Sequence, residues 1–237
     1  MLDFDRYTYL TFDCYGTLID WERGILAALR PVLDRHGIAM SDDAALTLYG
    51  ELESAAERGT YLPYRDLLAT VMEGFGERLG FVLSADERAT LAASVGDWPP
   101  FPDTVEALRV LADRFQLVIL SNIDDDLFAL SARHLGVAFA AAVTAQQVGS
   151  YKPDPRNFRA LLARLDTAPD RVLHVAQSLF HDIAPANALG LTTVWVNRRH
   201  DRPGSGATPP ATAHPDLEVP DLRTLAHLAS AEPAPRR

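Results

Sequence analysis

The chain has 237 residues, of which 48% are hydrophobic and 23% are charged, a composition typical of globular proteins. The formal net charge is −10, and basic residues cluster only at Arg198–Arg199 and Arg236–Arg237, which argues against nucleic acid as a partner. No apolar run reaches the roughly 20 residues that a membrane-spanning helix needs, and the single cysteine, Cys14, excludes an intramolecular disulfide. Since the chain opens without a signal-peptide pattern, we expect a cytoplasmic protein with no membrane partner.

The first predicted strand is Tyr7–Phe12, a short apolar run that ends at Asp13. A wholly helical block follows it, with helical patterns at Glu22–His36, Asp43–Glu57, Pro63–Leu79 and Asp86–Val95. Pro31 is predicted to kink or break the first of these helices near Arg30. We interpret residues 20–99 as a helical cap domain inserted after the first strand.

After the block, strands and helices alternate. Further strands are predicted at Gln116–Leu120, Val172–Val175, Thr192–Val196 and Leu217–Val219. Helices are predicted at Asp103–Arg114, Asp125–Leu135, Arg156–Leu165 and Ile183–Leu189. This alternation indicates an α/β fold class with a Rossmann-like, doubly wound parallel sheet. We assign residues 1–19 and 100–230 to this core domain and residues 231–237 to a disordered tail.

Polar side chains follow three of the predicted strands. Asp13 follows the first, the pair Ser121–Asn122 follows the second, and both Ser178 and Asp182 follow the strand that ends at Val175. Ligands of open parallel sheets bind at the carboxyl ends of the strands, so these groups are expected to converge. Each of them alone also suits a turn or a helix cap. Their combination favours a functional site.

Lysine is almost absent from the chain. Of the 22 basic residues, 21 are arginine and one is Lys152, which lies in the loop before the helix predicted at Arg156–Leu165. A lysine ammonium is a compact point charge that can sit against one carboxylate oxygen, where a planar guanidinium would not fit. If the helix that follows runs back antiparallel to the strands, its loop places Lys152 at the same edge of the sheet as Asp13. The alternative is a single lysine that is on a loop by chance.

Four short motifs resemble those of the haloacid dehalogenase superfamily. Phe12–Leu18 is similar to its first motif, Leu120–Asn122 to its second, Tyr151–Asp154 to its third and His174–Gly190 to its fourth. They occur in the order of the superfamily and span essentially the whole chain, including a cap inserted after the first strand. The resemblance implies that Asp13 is a carboxylate nucleophile that is transiently esterified.

Two positions depart from the phosphatases of this superfamily. Tyr15 stands where a phosphatase carries the aspartic acid that protonates the leaving alkoxide, and a phenol with a pKa near 10 is a poor acid at neutral pH. Gln177 replaces the first member of an acidic pair that holds Mg²⁺, which leaves only Asp182. Here the sequence resembles the L-2-haloacid dehalogenase branch, which implies a small anionic 2-haloalkanoic acid as substrate, no metal and no other cofactor.

The resemblance also assigns roles to individual residues. Thr17 orients Asp13, Lys152 offsets the repulsion between Asp13 and the anionic substrate, and Asp182 holds Lys152 or positions the water of the second step. Substrate contacts are expected from Cys14, Tyr15, Ser121, Asn122, Ser178 and His181, with the carboxylate of the substrate on Ser121 and Asn122. The alternative for Cys14 is a small side chain that fills space at the strand end.

The dehalogenase branch has an arginine early in the cap that receives the departing halide. The corresponding stretch falls near Tyr49–Gly50 and contains no arginine. Arg65 is our candidate, because spacings of three and four residues would place Tyr61, Tyr64 and Arg65 on one helix face and bring Tyr61 and Arg65 to the substrate. The alternative is that Arg65 is a solvated helix residue.

Two other functions stay open at this point. One is a Mg²⁺-dependent phosphatase of the same fold that acts on a small phosphate ester, against which Tyr15 and Gln177 count. The other is a non-catalytic, ligand-binding derivative of the fold, against which the intact Asp13, Thr17 and Lys152 count. Proteins of the dehalogenase branch are often dimers, so a homodimer is a further expectation.

Overall fold

A computed structural model describes residues 2–202 and 204–230 of the chain. Six parallel strands form one sheet in the order β3-β2-β1-β4-β5-β6. They are β1 (Tyr9–Phe12), β2 (Gln116–Ser121), β3 (Ala141–Thr144), β4 (Val172–Ala176), β5 (Thr192–Val196) and β6 (Leu217–Val219). This is the strand order of a doubly wound α/β sheet, so the predicted Rossmann-like fold class is confirmed.

Helices surround the sheet and build the insertion. Between β1 and β2 lie α1 (Trp21–Arg35), α2 (Asp42–Glu57), α3 (Tyr64–Leu79), α4 (Ala85–Ser94) and α5 (Thr104–Ala112). After β2 follow α6 (Asp125–Ala132), α7 (Ala145–Val148), α8 (Pro155–Leu165), α9 (Ala184–Ala188) and α10 (Leu222–Ser230). Three cap helices, α1, α2 and α4, are preceded by an N-cap residue whose side chain accepts a backbone N–H of the first turn. These residues are Asp20, Ser41 and Ser84.

The sheet is buried on both faces. In β2, Leu117 and Ile119 belong to the apolar cluster that also contains side chains of α5 and α10. Val118 and Leu120 belong to a second cluster, formed with α8 and α9. Because successive side chains of a strand point to opposite faces, β2 is apolar without alternation from Leu117 to Leu120.

The prediction that Pro31 breaks the first cap helix is wrong, since α1 continues through it. Proline removes one backbone donor and clashes with the preceding turn, a local cost of about 3 kcal/mol. The apolar face of α1 offsets this cost, because Ile25, Leu29, Val32 and Leu33 are all buried in the main core.

The sheet domain also contains elements that were not predicted. They are the edge strand β3, the short helix α7, the helix α10 and a π-helical turn at Leu179–Ile183. The predicted helix Ile183–Leu189 is present as α9, directly after that turn. Two alanines begin β3, and alanine has low strand propensity, so its sequence carries little strand signal.

The chain leaves and re-enters the sheet domain through two segments that lie side by side. The amide of Asp20 donates to the carbonyl of Pro99 at 2.8 Å, and the amide of Phe101 donates to that of Leu18 at 3.1 Å. A helical cap inserted after β1 is therefore present, while its exact limits at residues 20 and 99 stay a prediction. The predicted tail, 231–237, lies outside the described residues.

Across residues 2–202 and 204–230, none of the helices has both the length and the apolar character required to cross a bilayer.

Candidate active site

Asp13 lies where the strand order of the sheet changes direction. It directly follows β1, which pairs with β2 on one side and with β4 on the other. Doubly wound sheets form their ligand crevice at this point. The amide of Asp13 donates to the carbonyl of Val175 at 3.1 Å, which anchors it beside β4. Its side chain is buried and lines a small cavity of about 40 Å³.

A tight turn after β1 brings Thr17 to Asp13. The Thr17 hydroxyl donates to Asp13 Oδ2 at 2.7 Å and accepts the backbone N–H of Gln177 at 2.9 Å. Gly16 has a φ of +92°, a conformation that favours glycine, and a Cβ there would lie 3.0 Å from Trp21 Nε1. The turn therefore fixes one oxygen of the Asp13 carboxylate.

Lys152 fixes the other oxygen. Its ammonium donates to Asp13 Oδ1 at 2.9 Å, to Asp182 Oδ1 at 2.7 Å and to the carbonyl of Leu120 at 3.0 Å. All three protons are thus used by a side chain that is only 1% exposed. Burial lowers the pKa of Lys152, but the two carboxylates outweigh it and raise the value to about 12. Lys152 is therefore a permanent cation in the site.

Asp182 is held from two sides, because its Oδ1 also lies 2.9 Å from His174 Nε2. Burial raises the pKa of Asp182, but Lys152 and His174 outweigh it, so that the pKa is lowered. The pKa of Asp13 is raised, because burial, together with the charge of Asp182, outweighs Lys152 and Thr17. Sequence reasoning missed His174, whose signal was a lone imidazole in the buried strand β4.

The cap contributes an acidic wall that was not predicted. Glu53, in α2, accepts hydrogen bonds on Oε1 from the hydroxyls of Tyr49 at 2.8 Å and Tyr64 at 2.6 Å. Burial and the neighbouring Glu57 raise the pKa of Glu53 to about 7. Glu53, Glu57 and Tyr64 line the same cavity as Asp13.

Glu57, at the end of α2, contacts the sheet domain directly. Its Oε1 accepts from Asn122 Nδ2 at 2.9 Å, and its Oε2 lies 3.3 Å from His181 Nε2. Burial lowers the pKa of His181, but the negative charges of Glu57, Asp182 and Glu53 outweigh this effect, so the pKa is raised. The imidazolium form of His181 is therefore favoured in the cavity.

Most of the predicted site residues converge on this cavity. Tyr15 shares a hydrogen bond of 2.8 Å with Ser131, and the hydroxyl of Ser178 accepts the backbone N–H of His181 at 2.8 Å. The predicted residues that line the cavity are Asp13, Tyr15, Ser121, Asn122, Lys152, Ser178, His181 and Asp182.

Three predicted substrate contacts do not line the cavity. Arg65 pairs with Asp126 at 2.6 Å, and its side chain is 49% exposed. Tyr61 precedes α3, so it shares no helix face with Arg65, and its ring packs 5.3 Å from that of Tyr151. Cys14 is completely buried, as a small side chain that fills space would be. The structure therefore gives no support for Arg65 as the residue that receives a halide.

The donor set at Asp13 does not fit a Mg²⁺ site. The Lys152 ammonium already contacts one oxygen of Asp13 and one of Asp182, so a cation of the chain itself pairs with both carboxylates. Gln177 adds no third carboxylate. Within the part of the chain that the structure describes, no group of three or more His, Cys, Asp or Glu side chains is placed to hold a metal ion.

Comparison with known proteins finds one hydrolase family and relatives that are named as dehalogenases and as phosphatases. A family model described as haloacid dehalogenase-like hydrolase matches residues 7–190. (S)-2-haloacid dehalogenase 1 of Pseudomonas sp. (strain CBS-3) is 29% identical over 193 residues, which are 79% of this chain and 83% of that protein. (S)-2-haloacid dehalogenase 4A of Burkholderia cepacia is 28% identical over 84% of this chain and 87% of its own length.

The fold has close counterparts among solved structures. The L-2-haloacid dehalogenase from Xanthobacter autotrophicus, solved with chloropropionic acid covalently bound, superimposes with a TM-score of 0.77. The match covers 94% of this chain and 98% of the other, at 21% sequence identity. At this identity the likeness shows the shared fold.

Proposed function

Because the chain belongs to the haloacid dehalogenase-like hydrolases, it is a hydrolase, and we propose that it replaces the halogen of a short 2-haloalkanoic acid with a hydroxyl group. The observation that carries this proposal is the Asp13 carboxylate, held by Thr17 at 2.7 Å and by Lys152 at 2.9 Å inside a small cavity. The relatives from Pseudomonas and Burkholderia, both named 2-haloacid dehalogenases, support the choice of substrate.

In the first step, an oxygen of Asp13 forms a bond to C2 of the substrate while the carbon–halogen bond breaks. The electron pair of the broken bond leaves with the halide, so this leaving group needs no proton. Tyr15, which cannot act as an acid at neutral pH, is compatible with such a reaction, since burial raises its pKa further.

The main obstacle in this step is the approach of two anions. At about 4–5 Å and an effective dielectric constant near 20, the repulsion between the substrate carboxylate and Asp13 is about 3–4 kcal/mol. Lys152 offsets this repulsion, because its ammonium is already in contact with Asp13. Ser121 lines the cavity and supplies a hydroxyl for the substrate carboxylate. Both side-chain protons of Asn122 already donate to Glu57 and to the carbonyl of Lys152.

In the second step, water attacks the carbonyl carbon of the Asp13 ester, and the bond from that carbon to the alkyl oxygen breaks. One proton of the water passes to the departing oxygen, which gives the 2-hydroxy acid, and the other is released. The hydroxyl of the product therefore keeps an oxygen of Asp13, while Asp13 regains its carboxylate with one oxygen from water.

This proposal is tested with 2-chloropropanoate, by following halide release in the presence and absence of EDTA. We expect release that is unaffected by EDTA and absent in Asp13→Asn, with deamidation excluded by mass spectrometry. A single turnover in ¹⁸O-water should label Asp13 and leave the product unlabelled. Label in the product alone, or phosphate release from p-nitrophenyl phosphate that EDTA abolishes, would contradict the proposal.

We further infer that the protein acts in the cytoplasm and forms a homodimer. The cytoplasmic location is supported by the single cysteine, which leaves no intramolecular disulfide, and the homodimer by the resemblance to the dehalogenase branch. Cell fractionation and sedimentation velocity check the two statements separately.

A further inference from the structure

We propose that Glu57 is a positioning residue of the cap. It holds Asn122 and His181, which lie on either side of the Asp13 nucleophile, when the cap covers the sheet. The inference deepens the proposed function, on which it rests, because it concerns the same site and the same reaction. No arginine of the cap lines the cavity, and this carboxylate instead makes a direct contact with residues of the sheet domain that line it.

The placement of Glu57 follows from the order of the strands. Asp13 follows β1, Asn122 follows β2, and His181 follows β4, and β2 and β4 are the two neighbours of β1 in the sheet. One oxygen of Glu57 accepts from Asn122 at 2.9 Å and the other lies 3.3 Å from His181. A single cap carboxylate thus spans the nucleophile from one neighbouring strand end to the other.

These contacts are shielded from water. The side chain of Glu57 is 8% exposed and that of His181 is 12% exposed. Buried charge-assisted contacts cost more to break than exposed ones, because a lost partner leaves a charged or polar group without compensation. Glu51, an acidic residue of the same helix, makes only an exposed contact. Its side chain is 57% exposed and lies 3.8 Å from Arg78.

The effect of Glu57 reaches Asp13 through Asn122 and Lys152. Asn122 Oδ1 accepts the backbone N–H of Lys152 at 2.7 Å, and Asn122 Nδ2 donates to the carbonyl of Lys152 at 3.1 Å as well as to Glu57. The amide group of Asn122 has two protons, so both are used. Because Lys152 in turn donates to Asp13 at 2.9 Å, an Asn122 that loses Glu57 leaves the lysine less well held.

The kinetic test compares Glu57→Ala and Glu57→Gln with Glu51→Gln as the matched control on the same helix. We expect kcat for halide release from 2-chloropropanoate to fall roughly 10- to 100-fold in Glu57→Ala, as loss of a hydrogen bond to a charged group does, with little change in KM. The kcat of Glu57→Gln should lie between that of Glu57→Ala and that of the wild type, because the amide oxygen of the glutamine still accepts from Asn122. Glu51→Gln should match the wild type.

Two measurements by NMR do not depend on turnover. In Glu57→Gln the pKa of His181 should fall, since Asp182 and Glu53 remain but the nearest carboxylate is gone. In both Glu57 variants the backbone amide of Lys152 should exchange with solvent faster than in Glu51→Gln. A wild type without halide release would refute the proposed function, while these measurements would still decide the role of Glu57.

The outcome that overturns the positioning role is a Glu57→Gln protein that matches Glu51→Gln in kcat, in the pKa of His181 and in the exchange of the Lys152 amide. Because glutamine has the same shape as glutamate, this variant keeps the test valid even where Glu57→Ala does not fold.

Discussion

Replacing Lys152 with methionine tests the electrostatic basis of the proposed reaction. The substitution keeps an unbranched side chain of similar length and removes an ammonium that lies 2.9 Å from Asp13 and 2.7 Å from Asp182. At an effective dielectric constant near 20, each contact corresponds to about 6 kcal/mol of Coulomb attraction before the desolvation cost is subtracted. Removing one partner of such a buried group typically destabilises a protein by about 3–5 kcal/mol.

The loss of activity has two causes. Without the ammonium, the repulsion between Asp13 and the substrate carboxylate, about 3–4 kcal/mol, is no longer offset, which corresponds to roughly a 100- to 1,000-fold lower kcat/KM. In addition, the pKa of Asp13, already raised by burial, rises further, since Lys152 no longer favours the ionised form. A protonated Asp13 cannot attack the substrate.

The assay is the initial rate of halide release from pH 6 to 9, with the fold checked by circular dichroism. The rate of Lys152→Met, expressed relative to that of the wild type at the same pH, should increase with pH as Asp13 loses its proton. A double variant that also carries Asp182→Asn should be more stable than Lys152→Met, because one uncompensated carboxylate is gone. A folded Lys152→Met enzyme that retains kcat/KM within threefold of the wild type at pH 7 would refute this reasoning.

Three further substitutions have expected outcomes. Thr17→Val removes the 2.7 Å hydrogen bond to Asp13 and should lower kcat roughly tenfold or more, with Thr17→Ser close to the wild type; equal rates for both variants would count against the role of the hydroxyl. The pKa of Glu53 is about 7 in the folded protein, against 4.5 ordinarily, so the free energy of unfolding of the wild type should decline as pH rises between these values. Urea unfolding of Glu53→Gln should show no such decline with pH. Gly24→Ala places a Cβ 2.3 Å from Trp98 Cγ and should lower the free energy of unfolding by about 1–3 kcal/mol, which an unchanged urea midpoint would disprove.

The sheet could be predicted largely because its strands are buried on both faces. The interior of a strand such as β2 is then a continuous apolar run, here Leu117–Leu120, which stands out between polar turns. The edge strand β3 lacks this signal, since Ala141 and Ala142 are only partly buried and pair with β2 alone. At Pro31 the sequence predicted a kink or break that depends on local geometry alone. The packing of α1 outweighs this local effect of proline, so the helix continues.

The floor of the site could be predicted because the topology of the sheet fixes it. Asp13, Asn122 and Asp182 follow strands whose carboxyl ends must meet, whatever the details of packing. The wall that the cap provides could not be predicted in this way. Glu53 and Glu57 are spaced four residues apart in α2, a pattern equally typical of a solvated helix face. Long-range contacts bury them: Glu53 accepts from Tyr64 in α3, and Glu57 contacts Asn122 and His181 of the sheet domain.

Four carboxylates line the cavity, yet their partners make it compatible with an anionic substrate. Asp182 is balanced by Lys152 and His174, and Glu57 is balanced by His181, whose raised pKa favours the cationic form. A pKa of about 7 keeps Glu53 largely protonated below neutrality, where two tyrosine hydroxyls already bind one of its oxygens. This leaves the charge of Asp13 as the main repulsion that a carboxylate meets, and Lys152 contacts that charge directly. The sheet domain thus carries the reacting groups of the proposed reaction, while the cap adds the two glutamates that line the same cavity.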